Sequence, residues 1–197
     1  MTRGSRPSVI ALAGPNGAGK STVGPGLLRG ALRVTTFVNA DVIAQGLSAF
    51  DPDAVAFAAG RVMRARLREL AARRASFAFE TTLAGRTHAP WLRMLIRTGY
   101  AFRLVFLWLP SPELAVERVR SRVELGGHSV PEQTIRRRYV AGLRNFFTVY
   151  RRMATTWRLY DNAGTIGPRL IAEGRRGEPP SVRDRATWAR LEEEWSR

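Results

Sequence analysis

Gly14-Pro15-Asn16-Gly17-Ala18-Gly19-Lys20-Ser21 follows directly on the apolar run Val9–Ala13, VIALA. It meets G-x-x-x-x-G-K-[ST], the Walker A pattern, at every fixed position. An unbroken apolar run closed by a Gly-rich turn reads as a strand buried on both faces, as in a parallel sheet. The glycines let the backbone turn so that its N–H groups converge on an anion. A helix starting near Gly19 aims its first amides and its dipole at the same charge. Lys20 then reaches the β- and γ-phosphates of a nucleoside triphosphate, and the Ser21 hydroxyl is placed as a Mg²⁺ ligand. Gly14, Asn16, Gly17, Ala18, Gly19, Lys20, Ser21 and Thr22 are the expected nucleotide-binding residues.

Outward from this loop, short apolar runs alternate with helical patterns, which calls for a parallel α/β sheet. Thr35–Val38, Ser76–Phe79, Ala101–Leu109 and Trp157–Tyr160 read as further strands, with Leu170–Ala172 a weaker one. Pro52–Arg74 reads as a helix, its apolar residues Val55, Ala58, Ala59, Val62, Met63, Leu67 and Leu70 three and four apart. Ile135, Tyr139, Leu143, Phe146 and Tyr150 form a second core stripe. Glu173–Asp184, rich in Gly, Pro and charge, reads as a loop leading to a short C-terminal helix with Trp188, Leu191 and Trp195. The expected architecture is one P-loop domain over residues 1–197. It has three α/β/α layers, about five central parallel strands, a helical lid near 117–138 and a C-terminal loop and helix over 173–197.

The 197 residues are 45% apolar and 24% charged, ordinary for a globular chain long enough to bury its own core. There is no cysteine, which excludes disulfides, thiolate metal sites and thiol nucleophiles. The apolar run near the start is too short for a signal peptide, and nothing approaches the ~20 residues of a membrane span. A cytoplasmic location without membrane attachment is the expectation. The charge is unusual, with 32 basic against 16 acidic residues and a net of +16. All but one of the basic residues are arginine, and the lone lysine is Lys20. Such a surface attracts polyanions. It reads mainly as an arginine-rich habit, with nucleic acid retained as an alternative partner. Arg61, Arg64 and Arg68 could form one helical stripe toward phosphates, but no aromatic residue is interleaved with them for base stacking.

Two carboxylates fall just past strand ends, where open α/β sheets bind ligands. Asp41 follows the second strand in Asn39-Ala40-Asp41, and Glu80 follows the third in Glu80-Thr81-Thr82. One can accept or orient an acceptor hydroxyl's proton while the other holds Mg²⁺ through water. The competing role for Asp41 is to cap the helix Val42–Leu47. Arg118 and Arg122 lie four apart on one helical face before the turn Gly126-Gly127-His128-Ser129-Val130-Pro131, and Arg136, Arg137 and Arg138 follow it. A lid carrying arginines can close over phosphates and exclude water. His128 in the turn is a candidate for orienting the acceptor. His88 reads as incidental, and Asp161-Asn162-Ala163-Gly164 as a loop that could touch adenine.

In series, GPNGAGKST (Gly14–Thr22), NADVIA (Asn39–Ala44), FETTLAG (Phe79–Gly85), GGHSVPEQTIRRRY (Gly126–Tyr139) and YDNAG (Tyr160–Gly164) resemble the zeta-toxin-like P-loop kinases. The resemblance implies a nucleoside-kinase-like sheet centred on the P-loop strand, and ATP as phosphoryl donor. It implies that Asp41 is the acceptor-activating base and that Glu80 and Thr82 face the acceptor. Arg122 with Arg136 or Arg137 would be the lid arginines. Toxins of that family phosphorylate UDP-N-acetylglucosamine and are held by a small antitoxin, so an antitoxin protein is an implied partner. The sequence reading is therefore a kinase for a small-molecule hydroxyl. A polynucleotide-end kinase or RNA-binding ATPase and a non-catalytic nucleotide-binding module stay open beside it.

Overall fold

The computed structural model describes residues 6–30, 34–52, 54–127 and 129–196. Strand β1 (Ser8–Ala13) is buried along its whole length, as its unbroken apolar run requires. It pairs in parallel with β3 (Phe77–Thr81) on one side and β4 (Ala101–Trp108) on the other. The short β2 (Phe37–Val38) adds beyond β3, and β5 (Thr156–Asp161) beyond β4, both parallel. Two antiparallel strands, β6 (Arg169–Arg175) and β7 (Ser181–Val182), extend the sheet to the order β2-β3-β1-β4-β5-β6-β7. The five parallel strands are those expected.

Helices make the crossovers: α1 (Lys20–Arg29), α2 (Ala40–Leu47) with α3 (Ala56–Ala72), α4 (His88–Arg97), and α5 (Pro112–Glu124) with α6 (Glu132–Asn145). Because β1 lies between β3 and β4, its C-terminal end is where the connections diverge and a crevice opens. The P-loop stands at that point.

On α3 the buried stripe is Ala59, Met63, Leu67 and Leu70, while Val62 of the expected stripe is half exposed. Ile135, Tyr139, Leu143, Phe146 and Tyr150 are all buried, as their spacing predicts. They stay on one side although α6 passes into a π-helical turn, Phe146–Tyr150, before the short α7 (Arg151–Met153). The Tyr139 hydroxyl donates to the Leu109 carbonyl at 2.7 Å and that of Tyr150 to the Gly85 carbonyl at 2.8 Å, so neither buries an orphan polar atom.

One expectation fails. Glu173–Asp184 is not a continuous loop, since β6 runs to Arg175 and β7 occupies Ser181–Val182. At the end of a sheet one strand face meets solvent, so charged residues suit a strand there. Arg158 on β5 donates to Glu173 on β6 at 2.9 Å as a cross-strand pair. Gly174 is a packing glycine, because a Cβ there would lie 2.7 Å from the Trp157 ring. That ring stacks on Trp188 of α8 (Arg185–Trp195) at 5.4 Å and 13°. The C-terminal tryptophan Trp188 thus closes the core. Among the described residues, no helix is long and apolar enough to cross a membrane.

Candidate active site

The loop between β1 and α1 is built on three glycines with positive φ: Gly14 (144°), Gly17 (77°) and Gly19 (76°). Side chains are also excluded by space. A Cβ on Gly14 would lie 2.3 Å from the Leu107 carbonyl oxygen, and one on Gly17 2.7 Å from that of Ala115. Alternating left-handed residues turn successive amides to one side, and α1 begins immediately after Gly19, adding its unpaired first N–H groups.

Lys20 is buried. Its Nζ donates to the carbonyls of Gly14 at 2.9 Å and Pro15 at 2.8 Å and lies 3.6 Å from Glu80 Oε1. Burial presses the Lys20 ammonium below the usual lysine range, and Glu80 and Asp41 oppose it. Burial likewise raises the Glu80 carboxyl, against the attraction of Lys20. Glu80 Oε2 accepts from Ser21 Oγ at 3.3 Å and from Asn39 Nδ2 at 2.8 Å.

Asn39 settles the competing role for Asp41. Its Oδ1 accepts the Asp41 amide at 2.7 Å, so Asn39 is the N-cap of α2 and the Asp41 side chain is not needed for it. One amide therefore caps the helix and holds the Glu80 carboxylate. An Asn two residues before a helical Asp is the sequence signal for such a cap.

Lys20, Ser21, Asp41 and Glu80 line a cleft of about 210 Å³ with Asn16, Gly17, Gly19, Thr22, Arg118 and Arg122. Arg122 stands close enough for its charge to act on Lys20. Arg118 is committed to structure, donating to the carbonyls of Asn162 at 2.7 Å and Ala163 at 2.6 Å. Thr82 belongs to the turn behind the cleft, where its Oγ1 accepts the Ala84 amide at 3.4 Å. His128 lies outside the described residues.

Of the arginines after the turn, Arg136 is drawn away from the cleft. It bridges Glu132 on its own helix at 2.9 Å and Glu113 on α5 at 2.5 Å. Arg137 is exposed. The arginine facing the P-loop is Arg138, whose guanidinium lies 3.4 Å from Asn16 Oδ1 and within reach of the Asp41 charge. Helical geometry explains the replacement. At 100° per residue, Arg137 points opposite the stripe of Ile135 and Tyr139, and Arg136 and Arg138 flank that stripe on two sides. The sequence offered three adjacent arginines, and only their phase against the buried stripe separates them.

Within the Asp161–Gly164 loop, Asn162 has a structural role. This residue is buried and donates to the Ala18 carbonyl at 2.8 Å, tying the end of β5 to the P-loop. Asn162→Ala leaves that carbonyl unpaired in the interior, at a cost of about 1–3 kcal/mol. Thermal unfolding should show a midpoint lower by several degrees, and ATP should restore less stability than in the unmodified chain. An unchanged midpoint would mean that water replaces the amide.

The fold and cleft define a P-loop kinase-like α/β domain. Residues 9–140 match the family model of an AAA domain, and the chain belongs to that family. An uncharacterized protein of Haemophilus influenzae is 25% identical over 130 residues, covering 66% of this chain and 91% of its own. Among solved structures, a chain of the AvrRxo1-ORF1:AvrRxo1-ORF2 complex with sulphate ions is similar at a TM-score of 0.74, with 17% identity. The match covers 95% of this chain, which spans only 64% of that chain's length. The same pair with ATP gives 0.71 and 18%, covering 98% and 64%. A structure from the PezAT chromosomal toxin–antitoxin system of Streptococcus pneumoniae gives 0.61 at 15% identity, covering 87% of this chain and 75% of that one. At these identities the likeness is one of fold.

Proposed function

We propose that this chain transfers the γ-phosphoryl group of ATP to a hydroxyl of a small-molecule acceptor, in the manner of the zeta-toxin-like kinases. The observation that carries the reading is the convergence of Lys20, Ser21, Glu80 and Asp41 on one cleft, with Asp41 released from capping by Asn39. The two carboxylates differ in surroundings. Glu80 is largely buried and bonded to Ser21 and Asn39, while Asp41 is exposed at the mouth.

In this division Asp41 accepts the proton of the acceptor hydroxyl. The hydroxyl oxygen bonds to the γ-phosphorus, the bond from that phosphorus to the β,γ-bridging oxygen breaks, and ADP leaves. Lys20 binds the β- and γ-phosphates, and the guanidiniums of Arg122 and Arg138 neutralise charge on the moving group. Ser21 Oγ and the Glu80 carboxylate, 3.3 Å apart, are hard oxygen donors that would hold Mg²⁺. When bound, the ion neutralises charge on the phosphate oxygens.

Beside Asp41 lies a recess of about 60 Å³ formed by Ala40, Ala44, Gln45, Pro52, Ala56 and Ala59. It is the place for an acceptor group next to the base. Because similar structures come from the AvrRxo1 pair and the PezAT system, a protein inhibitor in the role of an antitoxin is the expected macromolecular partner. The test is transfer from γ-labelled ATP with Mg²⁺ to a panel of acceptors. The panel holds UDP-N-acetylglucosamine, other sugar nucleotides, nucleosides and aminoglycosides. Label on one small molecule, lost in Asp41→Asn, is the expected result. ATP binding with neither transfer to any acceptor nor hydrolysis to ADP would return the chain to a nucleotide-binding module.

A further inference from the structure

The kinase reading leaves most of the net +16 without a role. Its arrangement on α3 is not uniform. Arg66 and Arg73 on one flank are both bound to Glu69, at 2.7 and 2.8 Å. Phe57, Arg61, Arg64 and Arg68 recur at helical spacing on the outward face and are exposed. Among the described residues no carboxylate pairs with Arg61, Arg64 or Arg68. The helix thus separates a neutralised flank from an uncompensated one.

The uncompensated flank borders a groove of about 700 Å³ between α3 and α4. Its rim carries Arg68 and Arg74, and its floor is apolar, with Pro90, Trp91 and Met94 from α4. Trp91 is half-buried against Phe77 and Phe79, and Met94 is 42% exposed. Arg64 extends toward the same helix, where its charge acts on His88. The sequence objection to a nucleic-acid surface was the lack of aromatics among these arginines. Tertiary structure supplies one from the neighbouring helix.

We infer that the α3–α4 groove binds single-stranded nucleic acid, with Arg61, Arg64 and Arg68 on successive phosphates and a base against Trp91 and Met94. From Arg61 to Arg68 the helix rises about 10 Å, the length over which a stacked strand presents roughly three phosphates. Guanidiniums suit the task because they fork onto phosphate oxygens and also stack on bases. An apolar floor has no use for a bare inorganic anion, and a duplex keeps its base faces out of reach. The site is separate from the ATP cleft and does not depend on the kinase reading.

The test uses fluorescence anisotropy of a short labelled oligouridylate, an oligodeoxythymidylate and a duplex, titrated in salt from about 50 to 200 mM. Single strands should bind better than the duplex. Arg64→Ala/Arg68→Ala should reduce the slope of log affinity against log salt by about 1.4, since each lost phosphate contact on a single strand removes about 0.7. Arg66→Ala/Arg73→Ala removes the same formal charge from the other flank and should change the slope far less. Trp91→Phe should weaken single-strand binding severalfold with the slope intact. Equal losses in the two double variants, or a duplex bound as tightly as a single strand, would reduce the effect to general basicity and overturn the site. Failure of every probe to bind at the upper salt concentration would overturn it too, as would capture by anionic lipid vesicles alone.

Discussion

Lys20→Ala is expected to abolish useful phosphoryl transfer, lowering turnover by about a hundredfold or more and weakening ATP binding in the same step. No other side chain can take over. Lys20 is the only lysine of the chain, and its ammonium sits in a buried pocket defined by the Gly14 and Pro15 carbonyls and Glu80. Charge placed in a desolvated site acts more strongly than on the surface. Removing one preorganised donor to the charge that develops in the transition state costs about 2.7–4 kcal/mol, or two to three decades in rate. Lys20→Arg should not restore activity, because the planar fork is larger and cannot fit the same three oxygens.

The mutation also strips Glu80 of its buried counter-charge, so part of the loss could come from instability. Lys20→Ala/Glu80→Gln separates the two effects. It should unfold at a higher temperature than Lys20→Ala, because it removes the carboxyl that Lys20→Ala leaves buried without its counter-charge, and should remain inactive. Below the range in which Glu80 titrates, the two variants should converge. The sign follows from burial, which raises the folded-state Glu80 pKa above the unfolded value. Stability attached to this carboxyl is full below the unfolded value and falls as pH rises through the folded one. Turnover within threefold of the unmodified chain in Lys20→Ala would remove the P-loop from the chemistry.

The parts of this fold that were legible in the sequence are those where local chemistry leaves few choices. Val9–Ala13 must be buried on both faces, and Gly14, Gly17 and Gly19 must take positive φ, so strand, loop and helix follow one another without tertiary information. The α6 stripe was legible because its spacing holds through the π turn. What was not legible depends on partners distant in sequence. Asn162 reads as a turn residue until Ala18, 144 residues away, is seen to accept its amide. Asn145 carried no signal, yet it donates to the Leu83 carbonyl at 2.8 Å and accepts from Arg86 at 2.9 Å. Those bonds hold the segment that follows Glu80. The pairing of Arg136 with Glu113, on another helix, carried no signal in the local sequence. β7 was missed because an edge strand of two residues needs no apolar run.

Asp41→Asn should keep ATP binding and slow transfer by about a hundredfold or more, the usual loss on removing a positioned general base. The local structure makes the substitution unusually clean. The bond that caps α2 uses the Asp41 backbone amide and the Asn39 side chain, so it survives any change at the Asp41 side chain. What is lost structurally is a negative charge in the first turn of a helix, worth about 0.3–1 kcal/mol. Asn39→Ala is the contrasting variant. It removes the cap and the donor to Glu80 together, and should lower both stability and ATP-dependent turnover. With Asp41→Asn, the Km for ATP should be unchanged and the fall should lie in kcat for the acceptor reaction. A slowing below threefold would show that Asp41 is a bystander at the mouth of the cleft. The hydroxyl's proton would then have to leave by another group, and Glu80, already bonded to Ser21 and Asn39 behind Lys20, is the carboxylate that would have to be tested next.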